Sequence, residues 1–128
     1  MYRFVDHTAE LEVEIEAESA EGVLEEALRA FVELLGTGDG EVVERRLVVA
    51  AADLPALLAA WLEELVYLAE TESFVPDSAD LSLSGLELSA LLHGRLGEPR
   101  PLVKAVTYHR LAFERGPDGW LARAVLDV

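Results

Sequence analysis

The sequence predicts an α+β domain in two layers, with two main helices packed on a mostly antiparallel sheet. One segment near the start alternates apolar and acidic residues, and two later segments repeat apolar residues at helical spacing. Several short strand-like segments then follow one another without a further helix. Strands grouped after isolated helices favour the α+β class over alternating βα units. At 128 residues, the chain is predicted to form one domain over residues 1–128.

The first predicted elements are a strand and a helix. Residues 11–17 alternate Leu, Val and Ile with glutamates, which is the pattern of a strand with one buried face. Ser19 is a typical N-cap, because its side-chain oxygen can accept from a free amide of the first helical turn. Apolar residues at helical spacing then predict a helix over 20–35, which Gly36 ends.

A second strand and helix follow. The β-branched segment 42–51 predicts a strand. Asp53 is the expected N-cap of the next helix, and Pro55 suits its first turn because an amide there needs no partner within the helix. A broad apolar stripe predicts that this helix runs to about residue 70.

The remaining chain predicts strands and turns. Serines alternate with leucines on both sides of Gly85, which indicates two strands separated there. Two glycines and two prolines predict a loop over 94–101. The final segments 102–114 and 120–128 flank the turn residues 116–119, and they predict a hairpin.

Composition excludes several classes of function. The chain has no cysteine, which rules out disulfide scaffolds, thiol nucleophiles and cysteine-ligated metals. With 25 acidic and 10 basic residues, its net charge of −15 argues against direct binding of nucleic acid or of anionic membranes. No segment approaches the roughly 20 apolar residues of a membrane span, and the first residues do not resemble a signal peptide. We therefore expect a cytoplasmic protein.

No P-loop, Gly-x-Ser-x-Gly or HExxH motif is present, but three local clusters could carry chemistry. Residues 6–10 hold two carboxylates and an imidazole, and oxygen ligands of this kind suit hard divalent cations. The same residues are also ordinary turn formers, so a solvated turn is the alternative.

The other two clusters lie late in the chain. Residues 104–109 contain the only lysine; a strand would place Lys104, Val106 and Tyr108 on one face and Ala105, Thr107 and His109 on the other. The alternative is a strand with a merely polar face. At the end, Asp127 adjoins the main-chain carboxylate of Val128, which gathers oxygen ligands unless the terminus is frayed.

Taken together, these segments resemble the archease family. The similarity is carried by Phe4-Val5-Asp6-His7-Thr8-Ala9-Glu10, by Trp61-Leu62-Glu63-Glu64-Leu65-Val66-Tyr67-Leu68, by Lys104-Ala105-Val106-Thr107-Tyr108-His109 and by Val125-Leu126-Asp127-Val128. The resemblance implies a protein cofactor that is not itself an enzyme. Its partner would be an RtcB-type RNA ligase of tRNA splicing and RNA repair, whose guanylation and multiple turnover it would promote.

The resemblance also implies a metal site. Its ligands would be Glu10, Asp127 and Val128, with Asp6 and His7 as neighbouring groups. Lys104 and His109 are further functional candidates from the late motif. Glu10 departs from the aspartate usual in the family, and calcium tolerates this longer ligand better than magnesium does. We therefore expect a divalent cation, with calcium favoured over magnesium or manganese.

Two other functions are compatible with the sequence. A metal-dependent hydrolase could use Asp6, His7 and Asp127, and it would turn over substrate on its own. A generic interaction or chaperone-like module would bind through its acidic surface and would not depend on Glu10 or Asp127.

Overall fold

The computed structural model describes residues 1–7, 9–98 and 103–128 of the chain. In these residues, two helices and seven strands follow the predicted order, with one additional strand at the start. The elements are β1 (Tyr2–His7), β2 (Glu10–Ala17), α1 (Ala20–Leu35), β3 (Val42–Ala50), α2 (Leu54–Glu72), β4 (Phe74–Ser84), β5 (Glu87–Leu96), β6 (Ala105–Gly116) and β7 (Gly119–Asp127). None of the described helices is long and apolar enough to span a membrane.

The strands form two antiparallel sheets. The first has the order β1-β2-β7-β6, and the second has the order β3-β5-β4. Helix α1 contacts β2 of the first sheet and β4 of the second, while α2 contacts β6 of the first sheet and both β3 and β4 of the second. The α+β class, the antiparallel pairing and the two helices are thus confirmed. The division of the strands into two sheets is not evident from the sequence.

Both helices begin at the predicted caps. The Ser19 side chain accepts a hydrogen bond from the Gly22 amide, and the Asp53 side chain accepts one from the Ala56 amide, each at 2.9 Å. Between the helices, the fully buried Trp61 donates from Nε1 to the Leu24 carbonyl oxygen at 3.0 Å. This bond satisfies the one polar atom of the largest core side chain.

Each sheet turns one face toward the helices and core. We call the opposite face the outer face of that sheet. In the first sheet, Val13, Ile15 and Ala124 are buried on the core side. Glutamates of the alternating segment occupy the outer face of β2, as the sequence predicts.

Three boundaries differ from the predictions, one of them in the final hairpin, where β6 spans Ala105–Gly116 and residues 102–114 were predicted. Strand β4 begins at Phe74, well before the serine-rich stretch, and Gly85 forms the turn to β5 with φ +61°. Strand β5 continues to Leu96, so the predicted loop begins later than residue 94; its residues 99–101, and Leu102 of the predicted hairpin, lie outside the described residues.

Candidate functional site

The structure brings two of the predicted ligands together at one end of the first sheet. Strand β2 pairs with β7 so that Glu10 lies directly opposite Asp127. Directly opposed residues of an antiparallel pair share a face and hold their Cβ atoms about 5 Å apart. The amide of Val128 donates to the Ala9 carbonyl oxygen at 3.4 Å, so the third predicted ligand lies beside the other two. We call Glu10, Asp127 and Val128 the tip.

His7 and Asp6 lie on opposite faces of β1. His7 is opposite Glu10 in the register and shares its outer face, whereas Asp6 is opposite Leu11, on the core side. Successive side chains of a strand point to opposite faces. The hydrolase alternative required Asp6, His7 and Asp127 to act together; the register separates Asp6 from the other two and does not support it.

The cluster at 104–109 lies beside the tip. The Lys104 amide donates to the Asp127 carbonyl oxygen at 2.8 Å, and Ala105 is opposite Asp127. The Lys104 side chain is exposed and lines a cavity of about 380 Å³ between α2 and β6, together with Val106 and Tyr108. Ala105 lines the same cavity, so the cavity does not separate the two predicted faces. The register does separate Ala105, opposite Asp127, from Val106, opposite the buried Leu126.

Tyr108 fixes one wall of this cavity. Its hydroxyl donates to Glu63 Oε1 of α2 at 2.8 Å. This hydrogen bond, with the negative charge of Glu63, raises the pKa of Tyr108, because losing the phenolic proton would leave two anions in contact. Glu63 is an exposed residue of α2, and this hydrogen bond links α2 to β6 at the surface. His109 follows as an exposed residue of β6.

The chemistry of the tip suits a hard cation. None of the ion pairs between described residues involves Glu10 or Asp127, so two opposed carboxylates lie together without a neutralising side chain there. Oxygen donors of this kind are the ligands that calcium and magnesium prefer. No grouping of three or more Asp, Glu or His side chains in the described part of the chain has metal-holding geometry. A bound cation would therefore need the main-chain oxygens of Val128 or water as further ligands.

A buried ion pair next to the tip is not evident from the sequence. Glu12 belongs to the alternating segment and is expected to face solvent, yet it is only 3 % exposed. Its Oε1 lies 2.7 Å from Arg110 Nη1 and 3.6 Å from His7 Nε2. The approach of Arg110 is an ion pair without hydrogen-bond alignment, so Oε1 has no aligned donor among the described residues.

An irregularity in β6 produces this burial. The pairing with β7 runs to Thr107 opposite Val125 and resumes only at Ala112 opposite Arg123. The intervening residues form a bulge, with Arg110 at φ +58°, and Arg123 Nε donates to the Arg110 carbonyl oxygen at 2.8 Å. Such bulges redirect side chains. Here the bulge brings the Arg110 guanidinium to Glu12 on the outer face.

Comparison with known proteins identifies the family. The model of the Archease protein family (MTH1598/TM1083) matches residues 2–128. The chain belongs to the archease family. Protein archease of Archaeoglobus fulgidus is 31 % identical over 135 residues, covering 99 % of this chain and 98 % of that protein. Protein archease of Pyrococcus furiosus is 32 % identical over 135 residues, covering 96 % and 95 %.

Solved archease structures share the fold. The solution structure of Methanobacterium thermoautotrophicum protein 1598 has a TM-score of 0.81 and 28 % identity, covering 99 % of this chain and 98 % of that chain. The crystal structure of a Thermotoga maritima archease, described as a possible chaperone, has a TM-score of 0.73 and 26 % identity, covering 100 % and 98 %. The resemblance seen in the four sequence segments is therefore confirmed over the whole chain.

Proposed function

We propose that this archease is a protein activator of an RtcB-type RNA ligase, acting in tRNA splicing and RNA repair through its tip. The observation that carries the proposal is the direct opposition of Glu10 and Asp127 across β2 and β7, next to Val128. Family membership supports a role beside other proteins, since the Thermotoga maritima relative is described as a possible chaperone. The ligase partner itself comes from the resemblance of the sequence motifs.

The proposed ligands of the cation are the side chains of Glu10 and Asp127 and the main-chain oxygens of Val128. Calcium is the favoured ion, because it accepts varied oxygen geometry and so tolerates glutamate at position 10. When bound, the cation would supply a positive centre for oxygen ligands at an otherwise acidic end of the molecule. His7 shares the outer face with this site, and its ring is held within 3.6 Å of Glu12.

The residues around the tip would orient it toward a partner. Lys104 joins the tip through its amide and presents its side chain in the cavity beside Tyr108. The Glu12–Arg110 pair stabilises the bulge on the other face of β6. The tip thus has an ordered support on both faces of β6, which suits a surface that must fit a second protein.

The net charge favours a basic protein partner over RNA. A chain of charge −15 repels phosphates, but it attracts the basic surface of an enzyme that binds RNA. Complementary charge mainly accelerates encounter, and salt screens it. We therefore expect the association rate with the ligase to fall markedly as ionic strength rises, while association unaffected by salt would contradict this part of the proposal.

Multiple-turnover ligation of RNA tests the proposal. The cognate ligase is supplied with GTP, metal and an excess of RNA over ligase. The ligated product is then measured with and without this archease, which is added at a concentration below that of the RNA. Activation predicts that one ligase molecule joins many more RNA ends when the archease is present, with no ligation by the archease alone. An equal yield with and without folded archease would contradict the proposal. Turnover by the isolated archease would instead favour an enzyme.

A further inference from the structure

Strand β3 lies at an edge of the second sheet and exposes apolar side chains. Among the described residues it pairs only with β5. Its outer face carries the even-numbered residues, and Val42 and Val48 there are 65 % and 64 % exposed. Proteins usually protect such edges with charge, because an unpaired strand can add to another sheet. On β3 the charged residues Glu44 and Arg46 lie between the two valines.

We propose that β3 is a self-association edge, at which two copies of the chain pair antiparallel about a two-fold axis through Arg45. In that register, residue numbers of opposed pairs add to 90. Val42 of each copy then lies opposite Val48 of the other, and Glu44 lies opposite Arg46. The two exposed valines of β3 then cover each other, and each Glu44 lies opposite an Arg46 of the other copy.

The same charges disfavour the neighbouring registers. Registers with an odd sum would place the outer face of one copy beside the core-side face of the other, because side chains alternate along a strand. A register with a sum of 88 places Glu44 opposite Glu44 of the other copy. A register with a sum of 92 places Arg46 opposite Arg46 of the other copy. Both place like charges directly across the pair, which is destabilising. A two-fold axis through Arg45 avoids both conflicts. It places Arg45 opposite Arg45 of the other copy on the core-side face, where each guanidinium is already paired with Glu72 of its own chain.

Arg45 itself is compatible with lying at the axis. It faces the core side, and its Nε lies 2.6 Å from Glu72 Oε1, so its charge is neutralised within each copy. Arg45 Nη1 also donates to the Glu44 carbonyl oxygen at 2.9 Å. A carbonyl oxygen has two lone pairs, so this bond leaves one acceptor site for the partner strand. The product would be a continuous six-stranded sheet with the order β4-β5-β3-β3-β5-β4.

The absence of cysteine makes the register directly testable by cross-linking. Under oxidising conditions, a mixture of V42C and V48C should form a disulfide-linked dimer, because those positions oppose each other within reach of a disulfide. Neither variant should cross-link efficiently alone. V42C mixed with L121C is the control, since Leu121 is exposed on the other sheet. The proposal is overturned if the folded V42C and V48C variants do not cross-link, or if the control mixture cross-links equally well.

Charge exchange tests the pairing without any cysteine. E44R and R46E should each weaken self-association by about tenfold, because two attractive contacts become repulsive. The combination of E44R with R46E should restore it to within about threefold. Sedimentation at 0.15 M salt measures the dissociation constant. At this ionic strength the charge repulsion between the acidic copies is screened beyond a distance of about 8 Å.

A matched control separates this effect from changes at His93. Glu44 Oε2 lies 3.0 Å from His93 Nδ1, and Asp80 Oδ2 lies 3.0 Å from His93 Nε2. D80R therefore removes a carboxylate from the same imidazole with the same change of charge, but on β4, at the opposite edge of the second sheet from β3. D80R should leave self-association unchanged. Equal losses in E44R and D80R, or a purely monomeric wild-type chain at high concentration, would overturn the proposal independently of the ligase role.

Discussion

Glu12 and Arg110 form an ion pair on the outer face of the first sheet, with 2.7 Å between Oε1 and Nη1. The Glu12 side chain is 4 % exposed, so removing its partner would leave a charge almost without solvent. Buried charges without partners are strongly destabilising, although a buried pair need not add much stability itself. The pair links the bulge of β6 to β2 across the intervening strand β7.

R110A should lower the free energy of unfolding by about 2 kcal/mol, because Glu12 would lose its cation while remaining inside the sheet. Urea unfolding followed by circular dichroism measures this loss. R29A is the matched control, since Arg29 is 70 % exposed and pairs with Glu26 on the surface of α1. Its loss should stay below about 0.5 kcal/mol. A loss in R110A no greater than in R29A would show that Glu12 is solvated without Arg110.

His93 should make stability depend on pH. The hydrogen bond with Asp80, followed by the charges of Asp80 and Glu44, raises the pKa of His93 above its ordinary value of 6.5. A raised pKa means that the folded state binds the proton more tightly than the unfolded state does. The resulting stability is fully present below pH 6.5 and is lost as pH rises through the pKa of the folded protein. Comparing the unfolding of wild type and H93Q from pH 5.5 to 8.5 should show the largest difference at the acidic end.

NMR titration of the imidazole provides the control. D80N should lower the pKa of His93 toward its ordinary value, because the largest cause of the shift is removed. If D80N leaves the pKa of His93 unchanged, or if H93Q loses most stability at alkaline pH, the assigned cause is wrong.

E10Q should weaken calcium binding by at least tenfold, because it removes one of two opposed carboxylates. Isothermal titration with calcium measures the affinity. E16Q is the matched control: Glu16 lies on the same strand and the same face, but six positions away toward the other end of β2. Equal calcium affinities in wild type, E10Q and E16Q would remove Glu10 from the ligand set.

Residues appended after Val128 should also weaken calcium binding. In a chain prepared to end at Val128, an added residue converts the main-chain carboxylate to a peptide group and so removes a negative charge from the tip. V128A is the control, because it changes the side chain and leaves the main chain intact. The extended chain should retain its far-UV spectrum and melting temperature. Unchanged calcium affinity in the extended chain would exclude Val128 as a charged ligand.

The helices were predictable because their signals are local. Ser19 and Asp53 cap the helices in the structure as the sequence predicts, and the apolar spacing gives both helices to within two residues. Strand β1 was not predicted, since Tyr2–His7 is short and lacks a clear alternation. Its pairing with β2 depends on contacts that single-strand patterns do not specify.

The site was predictable only in part, for a related reason. The residue types at Glu10 and Asp127 indicate oxygen ligands, but their direct opposition depends on the register of β2 with β7, far apart in the chain. The burial of Glu12 contradicts its alternating pattern, because a bulge in β6 covers it with Arg110. Residues 10–17 alone give no indication that Arg110 would cover Glu12.

The most direct test of the central claim is multiple-turnover ligation by the cognate ligase with wild type, D127N and D118N. Asp127 lies at the tip, whereas Asp118 lies in the turn between β6 and β7 at the other end of the sheet. Each substitution removes one negative charge and keeps the side-chain shape. The tip account predicts that stimulation is lost in D127N and retained in D118N, with both variants folded. Full stimulation by D127N, or equal losses in both variants, would contradict it.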